Sequence, residues 1–439
     1  MKSNRIFLGC QEISGMMERL NNAFHELGIK SDFFCMDKYG FATEEMEKET
    51  LPILKKFRIH TDKRMESVGT KWENWWYFLQ MWDILHIFFY VLFRYDKFIY
   101  IFGHGMFFYN KYLSKIEELE FLILKIFNKK MIMWLCGSDS RAPYCDVMIH
   151  LYSERDDRID KIYRVTQRRR KRIKMLEKYM LLIDYPASAH FHTKSYILFN
   201  SIGMPVDEKE AVKNAKKKNN KVTILHAPSF QKGKGTEVVR NIIDDIRKEG
   251  NDFEYIEVSG MPHNIVLEKL ASADIVIDQV YSDAPMAGFA TEAALNGVPV
   301  IVGGYYAKEY AKILNKPLPP TVFCEPEEMK EKLLELLNSP ELREKIGQEE
   351  IKYVRDNNVA TTIAGKFIKL FEGIYPKEWL FEPDDNQYIW GAGVSKELVI
   401  NCIVQLLDKY GTNALCLKED SILFKNYINL YEEYKHLKK

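Results

Sequence analysis

Residues 270–304 read LASADIVIDQVYSDAPMAGFATEAALNGVPVIVGG. The run DIVIDQV is short, apolar and β-branched, which predicts a buried strand. A loop, YSDAPMAG, leads into the helical segment FATEAALN. Gly297 ends that helix in the position where glycine relieves a left-handed turn, and PVIVGG is the next strand. Strands this uniformly apolar belong to a parallel sheet with helices on both faces. Upstream the same grammar starts at Val222: VTILHAPS is a strand, FQKGKG a loop, and Thr236 to about Lys248 a helix. FEYIEVSG (253–260) and PHNIVLEKLASA (262–273) follow as strand and helix.

The amino-terminal half repeats this alternation. Ile6–Gly9, Ser31–Met36, Phe98–Gly103 and Met131–Gly137 read as strands, and Met16–Leu27 and Ile116–Phe127 as helices. A long helix from Glu154 to Lys178 precedes two further strands, LLIDYPAS and YILFNSIG. The segment 208–221, EKEAVKNAKKKNNK, is polar and Lys/Asn-rich, as a linker is. The division is therefore residues 1–207, a linker at 208–221, residues 222–375, and a carboxy-terminal extension, 376–439, with helices at Lys396–Lys409 and Ile422–Lys435. The fold class is α/β: two Rossmann-like, doubly wound domains facing a cleft, with a helical tail. Such sheets bind ligands beyond the carboxyl ends of their strands.

Composition narrows the function. Lys plus Arg is 63 and Asp plus Glu is 62 across 439 residues, so no bulk charge argues for nucleic acid. Seven scattered cysteines without a CxxC pair fit a reducing, cytosolic compartment. The opening MKSNRIFLGCQE reaches polar residues too early for a signal peptide. Trp75–Phe93, WWYFLQMWDILHIFFYVLF, contains Gln80, Asp83 and His86. It reads as an amphipathic helix of the amino-terminal core, with a second reading as a helix resting on the inner face of a membrane. The basic run Arg168–Arg172 is a solvated helix face, or an attraction for lipid headgroups or a lipid-diphosphate acceptor. His190 and His192 would share a face on a strand, but no third metal ligand is evident and no metal is expected. Hydrolase elbows, Walker loops and HExxH zinc motifs are absent from the sequence.

The segments HAPSFQKGKGTE (226–237) and 270–304 resemble the carboxy-terminal domain of the large retaining GT-B glycosyltransferase family of polysaccharide synthesis. GCQEISGMMERL and WLCGSDSR resemble its amino-terminal cleft loops more loosely. The resemblance implies a Lys-Gly loop near the donor diphosphate and a Glu against the donor ribose. That Glu is Glu292, within Gly288, Glu292, Ala293, Gly297, Pro299 and Val300. It implies sugar transfer from a nucleoside-diphosphate sugar to a saccharide or lipid-linked acceptor, with retention and without a metal or cofactor, the nucleotide sugar being a substrate. Two positions depart from the pattern. Ala284 stands where the family often has an upstream Glu, and Cys136 where it often has His. These departures motivate a second reading, a non-catalytic GT-B scaffold binding a partner glycosyltransferase or saccharide. A third is a nucleotide-sugar epimerase.

The residues themselves support a donor site. Glycine loops ahead of helices, at Gly9–Gly15, Gly233–Gly235 and Gly288, can bring backbone N–H groups to phosphate. Lys232 and Lys234 can offset charge on a leaving diphosphate, or serve only as solvated loop lysines. Glu292 can accept hydrogen bonds from two neighbouring hydroxyls, and Thr291 would lie by the diphosphate. Asp278 and Gln279 end a strand and point to the cleft, with a capping role for Asp278 as the alternative. Ser229 is a phosphate contact. The donor set is thus Gly15, Ser229, Lys232, Lys234, Gly235, Asp278, Gln279, Gly288, Thr291 and Glu292. On the other lobe Asp139 would hold a sugar hydroxyl, or pair with Arg141 to fix its loop. His104 would contact sugar or acceptor. His226 reads as a core histidine.

Overall fold

The amino-terminal sheet grows from alternation. In β1 (Ile6–Cys10), Ile6 and Leu8 face one side and Phe7 the other. The same alternation separates Ile99 and Ile101 from Phe98 and Tyr100 in β3 (Lys97–Ile101), and Ile132 and Trp134 from Met131 and Met133 in β4 (Lys130–Trp134). Both sets are buried, so the sheet is covered on both faces. With β2 (Ser31–Cys35), β5 (Leu181–Asp184) and β6 (Tyr196–Leu198) the spatial order is β6-β5-β4-β3-β1-β2, all parallel. This computed structural model describes residues 5–36, 52–153, 155–211, 221–314 and 317–436; most of the polar linker, 212–220, lies outside them.

The second sheet runs β11-β10-β9-β7-β8 and is parallel throughout. Its strands are β7 (Thr223–His226), β8 (Glu254–Glu257), β9 (Ile275–Gln279), β10 (Val300–Gly303) and β11 (Val322–Cys324). Leu225, Val276, Val300 and Val302 pack under the helix Gly288–Leu295. Ile224, Ile275, Ile277 and Ile301 pack under the helices Thr236–Lys248 and Met329–Asn338.

Three details differ from the sequence reading. The first is the lobe boundary. The helix Ala360–Glu372 does not cover the second sheet. Ile363, Phe367 and Leu370 pack with Leu8, Ile99 and Trp134, beside the helix Met16–Glu26. The chain thus returns to the first lobe before residue 375, because this helix carries an apolar stripe fitted to the open face of the first sheet. The remaining tail continues there: β12 (Leu380–Phe381) pairs antiparallel with β6, and the helices Lys396–Tyr410 and Ile422–Tyr434 join the core around Tyr144. Between them Asp146 bridges Ala392, Gly393 N donates to Tyr281 O, and Trp390 N donates to the Tyr306 hydroxyl, so residues 389–394 touch both lobes. The second detail is that Gln231–Lys234 is one helical turn rather than loop. The third is that residues 190–192 form no strand. His190 lies 2.9 Å from the Tyr427 hydroxyl, and His192 lies 2.9 Å from Asp184, so the two do not converge.

Candidate functional site

The carboxyl ends of both sheets face each other, and the motif residues gather there. After β7 the chain makes its single turn to Lys234, and Gly235 takes φ +72° before the helix Thr236–Lys248. A Cβ on Gly235 would meet Val280 Cβ at 2.7 Å. The glycine is therefore required twice, by its conformation and by the approach of the β9 end. Val280 N donates to Lys234 O, and Lys234 Nζ lies 3.0 Å from Asp278 Oδ1. Asp278 is buried and its Oδ2 has no hydrogen-bond partner. Lys234 is thus anchored by an ion pair and is not a solvated loop lysine, whereas Lys232 and Ser229 are exposed. Gln279 is turned along its own loop, donating to Ser282 Oγ at 2.6 Å.

Gly288 opens the helix that carries Glu292; a Cβ there would meet Met204 Cε at 3.0 Å. Thr291 is fully buried and its hydroxyl donates to Ala287 O at 2.8 Å. Its hydroxyl is thus engaged within its own helix turn. Glu292 is only 7% exposed. From the opposite lobe Arg19 reaches it, with Nη2 at 3.2 Å from Oε1. From its own lobe His263 Nε2 lies 3.0 Å from Oε2. Arg19 Nη1 also donates to Ser14 O at 2.8 Å, which fixes the guanidinium against the turn at Gly15, itself at φ +73°. The structure therefore joins the turn at Gly15 to Glu292 through a residue the sequence did not single out. Arg19 lies within the segment GCQEISGMMERL, whose resemblance gives it no role, and His263 lies outside the segments that carry the resemblance. The periodicity of Met16–Glu26 would have flagged Arg19 as a cation among apolar positions.

The glycine loop of the first lobe differs from expectation at its helix end. The Glu12 carboxylate accepts from Met17 N at 3.2 Å and Glu18 N at 3.0 Å. The amino terminus of Met16–Glu26 thus carries an internal anion where a phosphate was expected. Burial pushes the Glu12 carboxyl up to about 7, against the pull of these N–H donors.

Asp139 also works on backbone. Its two oxygens accept from Cys136 N at 2.9 and 3.2 Å. Burial, then the neighbouring Asp184, push its carboxyl up to about 7. It does not pair with Arg141. That guanidinium is buried between Asp146, at 2.9 Å, and Asp283 of the other lobe, which also accepts from Ser188 Oγ at 3.0 Å. Arg141–Asp283 is a second ion pair across the cleft. Ala284, beside it, is buried against the first lobe's core, where a carboxylate would lack solvent. His104 follows β3, its ring tilted against Phe108 with ring centroids 3.5 Å apart, and contacts Arg172 and Glu117. Burial lowers its pKa, against the pull of the Glu117 carboxylate. The basic run is not a uniformly solvated face. Arg169 turns inward to donate to Arg141 O and Arg172 to Gly103 O, while Arg168 and Lys171 face outward. His226 is buried, with Ile277 O at 2.8 Å and the Thr236 hydroxyl at 3.0 Å.

With this geometry in place, the chain can be compared with solved structures. Sucrose-phosphate synthase from Thermosynechococcus elongatus superposes over 84% of this chain and 99% of its own, with a TM-score of 0.50 at 13% identity. This is the GT-B fold. Similar GT-B structures include TarM, at 11% identity and a TM-score of 0.49 over 84% of this chain and 99% of that one. HepE of Anabaena, solved with UDP and glucose, shows 10% identity and a TM-score of 0.45, over 84% and 99%. No protein-family model matches the chain, and no curated protein matches it in sequence. Of the residues described, Lys234, Asp278 and Glu292 belong to the second lobe, and Arg19, Arg141, His104 and Arg172 to the first; Arg19–Glu292 and Arg141–Asp283 join the two lobes.

Proposed function

We propose that this protein is a glycosyltransferase that moves a sugar from a nucleoside-diphosphate donor to a hydroxyl of a saccharide or lipid-linked saccharide. The observation that carries this reading is Glu292, a carboxylate kept in a buried position at the carboxyl edge of a GT-B sheet. A buried carboxylate facing a cleft is costly unless it is paired or binds something. Its two oxygens offer about four acceptor positions, enough for two ribose hydroxyls beside Arg19. His263, whose side chain is 43% exposed, is the partner that ribose displaces most readily.

In this scheme the diphosphate lies by the turn Gln231–Gly235. There Lys234, anchored on Asp278, and the exposed Lys232 offset the charge that develops as the bond from the anomeric carbon to the phosphate oxygen breaks. The acceptor oxygen bonds to the anomeric carbon on the face the phosphate leaves, and its proton passes to the departing phosphate oxygen. The sugar keeps its anomeric configuration and no side-chain base is needed. We assign Asp139 to holding its loop rather than to proton transfer, and place His104 and Arg172 on the acceptor side. The cationic work falls to lysine and arginine, so the scheme contains no metal. Seven cysteines, none joined in a disulfide among the described residues, suit the reducing cytosol, and the expected role is synthesis of a cell-surface polysaccharide or glycoconjugate.

The test is a thermal-shift series with UDP, GDP, ADP and their sugar conjugates on the wild type and Glu292→Ala. A ligand that binds the native state raises Tm by mass action. A rise with one nucleotide series, lost in Glu292→Ala, supports the donor site. No rise with any nucleotide overturns it in favour of the scaffold. Recovery of an epimerised nucleotide sugar without acceptor overturns it in favour of the epimerase.

A further inference from the structure

The helix Trp72–Arg94 has two faces with different surroundings. Ile84, Ile87, Phe88 and Val91 are buried in the first lobe's core. The opposite face carries Trp72, Trp75, Phe78, Trp82, Phe89 and Phe93, each between 41% and 71% exposed. The spacing is three or four residues, with exposed His86 filling the step between Trp82 and Phe89, so these side chains form one continuous row. A single exposed aromatic needs no explanation, but a row along six turns does.

The row does not stop at its own helix. Phe93 meets Phe127 edge to face with ring centroids 6.0 Å apart. Phe127 closes the helix Glu117–Ile126, whose outer side shows Leu119, Leu122 and Ile126. Two neighbouring helices thus share one exposed apolar surface. Its charge is biased as well. Residues 52–130 contain thirteen Lys and Arg against eight Asp and Glu, although the whole chain is balanced. Three of those eight, Asp83, Glu117 and Glu120, are buried. Cations flank the row: Lys71 lies over Trp72 within it, Lys63 over Trp76 and Lys111 over Tyr77 lie on half-buried rings of the same helix, and Lys115 and Lys125 are exposed on the second helix and its approach.

We propose that this face docks the protein on an anionic lipid bilayer, with the helix Trp72–Arg94 lying in the plane of the interface. Tryptophan and phenylalanine fit the depth of the headgroup and acyl boundary, and flanking lysines fit anionic headgroups. A second copy of the chain is a poorer occupant, since two faces with the same positive bias repel. The helix is long and apolar enough to cross a membrane by length and composition. However, its inner side is committed to the fold. Asp83 Oδ2 lies 2.5 Å from His60 Nδ1, and Gln80 donates to Thr61 Oγ1 at 2.7 Å. Crossing would carry both polar groups into hydrocarbon and open the core. Docking leaves both in place.

The test floats the full-length protein with vesicles of phosphatidylcholine and phosphatidylglycerol at 7:3, and with phosphatidylcholine alone. Two variants accompany the wild type: Trp75→Ser/Trp82→Ser/Phe89→Ser and Lys115→Glu/Lys125→Glu. The wild type is expected to float with the anionic vesicles, to shift its tryptophan emission to the blue, and to bind phosphatidylcholine at least ~10-fold more weakly. The aromatic variant should lose flotation with Tm unchanged, and the charge variant should bind weakly and lose its preference for anionic lipid. Failure of the wild type to float, or flotation of the aromatic variant like wild type, overturns the proposal. So does a wild-type dimer that the aromatic variant dissolves, without vesicle binding. Nucleotide thermal shifts are read without vesicles, so a failed donor site and a failed docking face are separate results.

Discussion

Arg19 Nη2 on the first lobe lies 3.2 Å from Glu292 Oε1 on the second, and both side chains are about nine-tenths buried. A single cation therefore links the glycine turn after β1 to the carboxylate assigned to the donor ribose. Removing one partner of a buried pair leaves the other charge uncompensated, which costs ~3–5 kcal/mol. Arg19→Leu is expected to lose stability of that order in denaturant melts. Arg19→Leu/Glu292→Gln should recover part of it, a coupling read by the double-mutant cycle. The single variant should also weaken nucleotide binding in calorimetry, and the double variant should not restore it.

Lys234 and Asp278 give a sharper separation of fold from function. Lys234→Met strands the buried Asp278 carboxylate and should lower stability by a few kcal/mol, roughly 3. Lys234→Met/Asp278→Asn should regain most of that loss. Neither variant should bind a nucleoside diphosphate as the wild type does, because both lack the cation. Recovery of binding in the double variant would remove Lys234 from the donor site.

Gly235 should tolerate nothing larger. At φ +72°, with Val280 Cβ 2.7 Å from where a Cβ would lie, Gly235→Ala meets both backbone strain and overlap. A drop of ~2–4 kcal/mol in chemical denaturation is expected. Gly250→Ala supplies the comparison: it shares the positive φ, at +90°, but nothing lies within 4 Å of its Cβ position. It should lose only ~1 kcal/mol.

The pH dependence of stability should carry the mark of buried carboxyls. The Glu120 carboxylate accepts from Met106 N, Phe107 N and the Tyr100 hydroxyl, yet burial pushes it from 4.5 up to about 7. A raised carboxyl binds its proton more tightly in the folded state. Its stabilising contribution is full below about pH 4.5 and is lost as pH rises through 7. Glu120→Gln should therefore flatten the fall in Tm between pH 5 and 7 relative to wild type. An unchanged slope would show that Glu120 is ionised throughout that range.

The second lobe was largely legible in the sequence because its signals are local. The strands, the helix ended by Gly297 and the Gly288–Val300 motif all lie within a few residues of one another. The cross-lobe contacts were not legible. Arg19 and Glu292 are 273 residues apart, and no periodicity in the sequence relates them. The run Arg168–Arg172 misled for a related reason. Charge alone predicts solvent, but Arg169 and Arg172 find carbonyl acceptors on loops that the sequence cannot position. Ala360–Glu372 shows the same limit. Which of two sheets that helix covers depends on tertiary packing.

The first lobe has segments on both sides of the second lobe in sequence. Its sheet starts at Ile6 and takes its last strand at Leu380–Phe381, and its core takes in Tyr427 and Leu430. The second sheet, from Thr223 to Cys324, is uninterrupted in sequence. During synthesis the later-made lobe is thus the first to have its whole sheet available, while the earlier-made lobe waits for the final helices to emerge from the ribosome. A nascent chain stalled near residue 375 would hold the second sheet complete beside a first lobe still lacking its edge strand and closing helices.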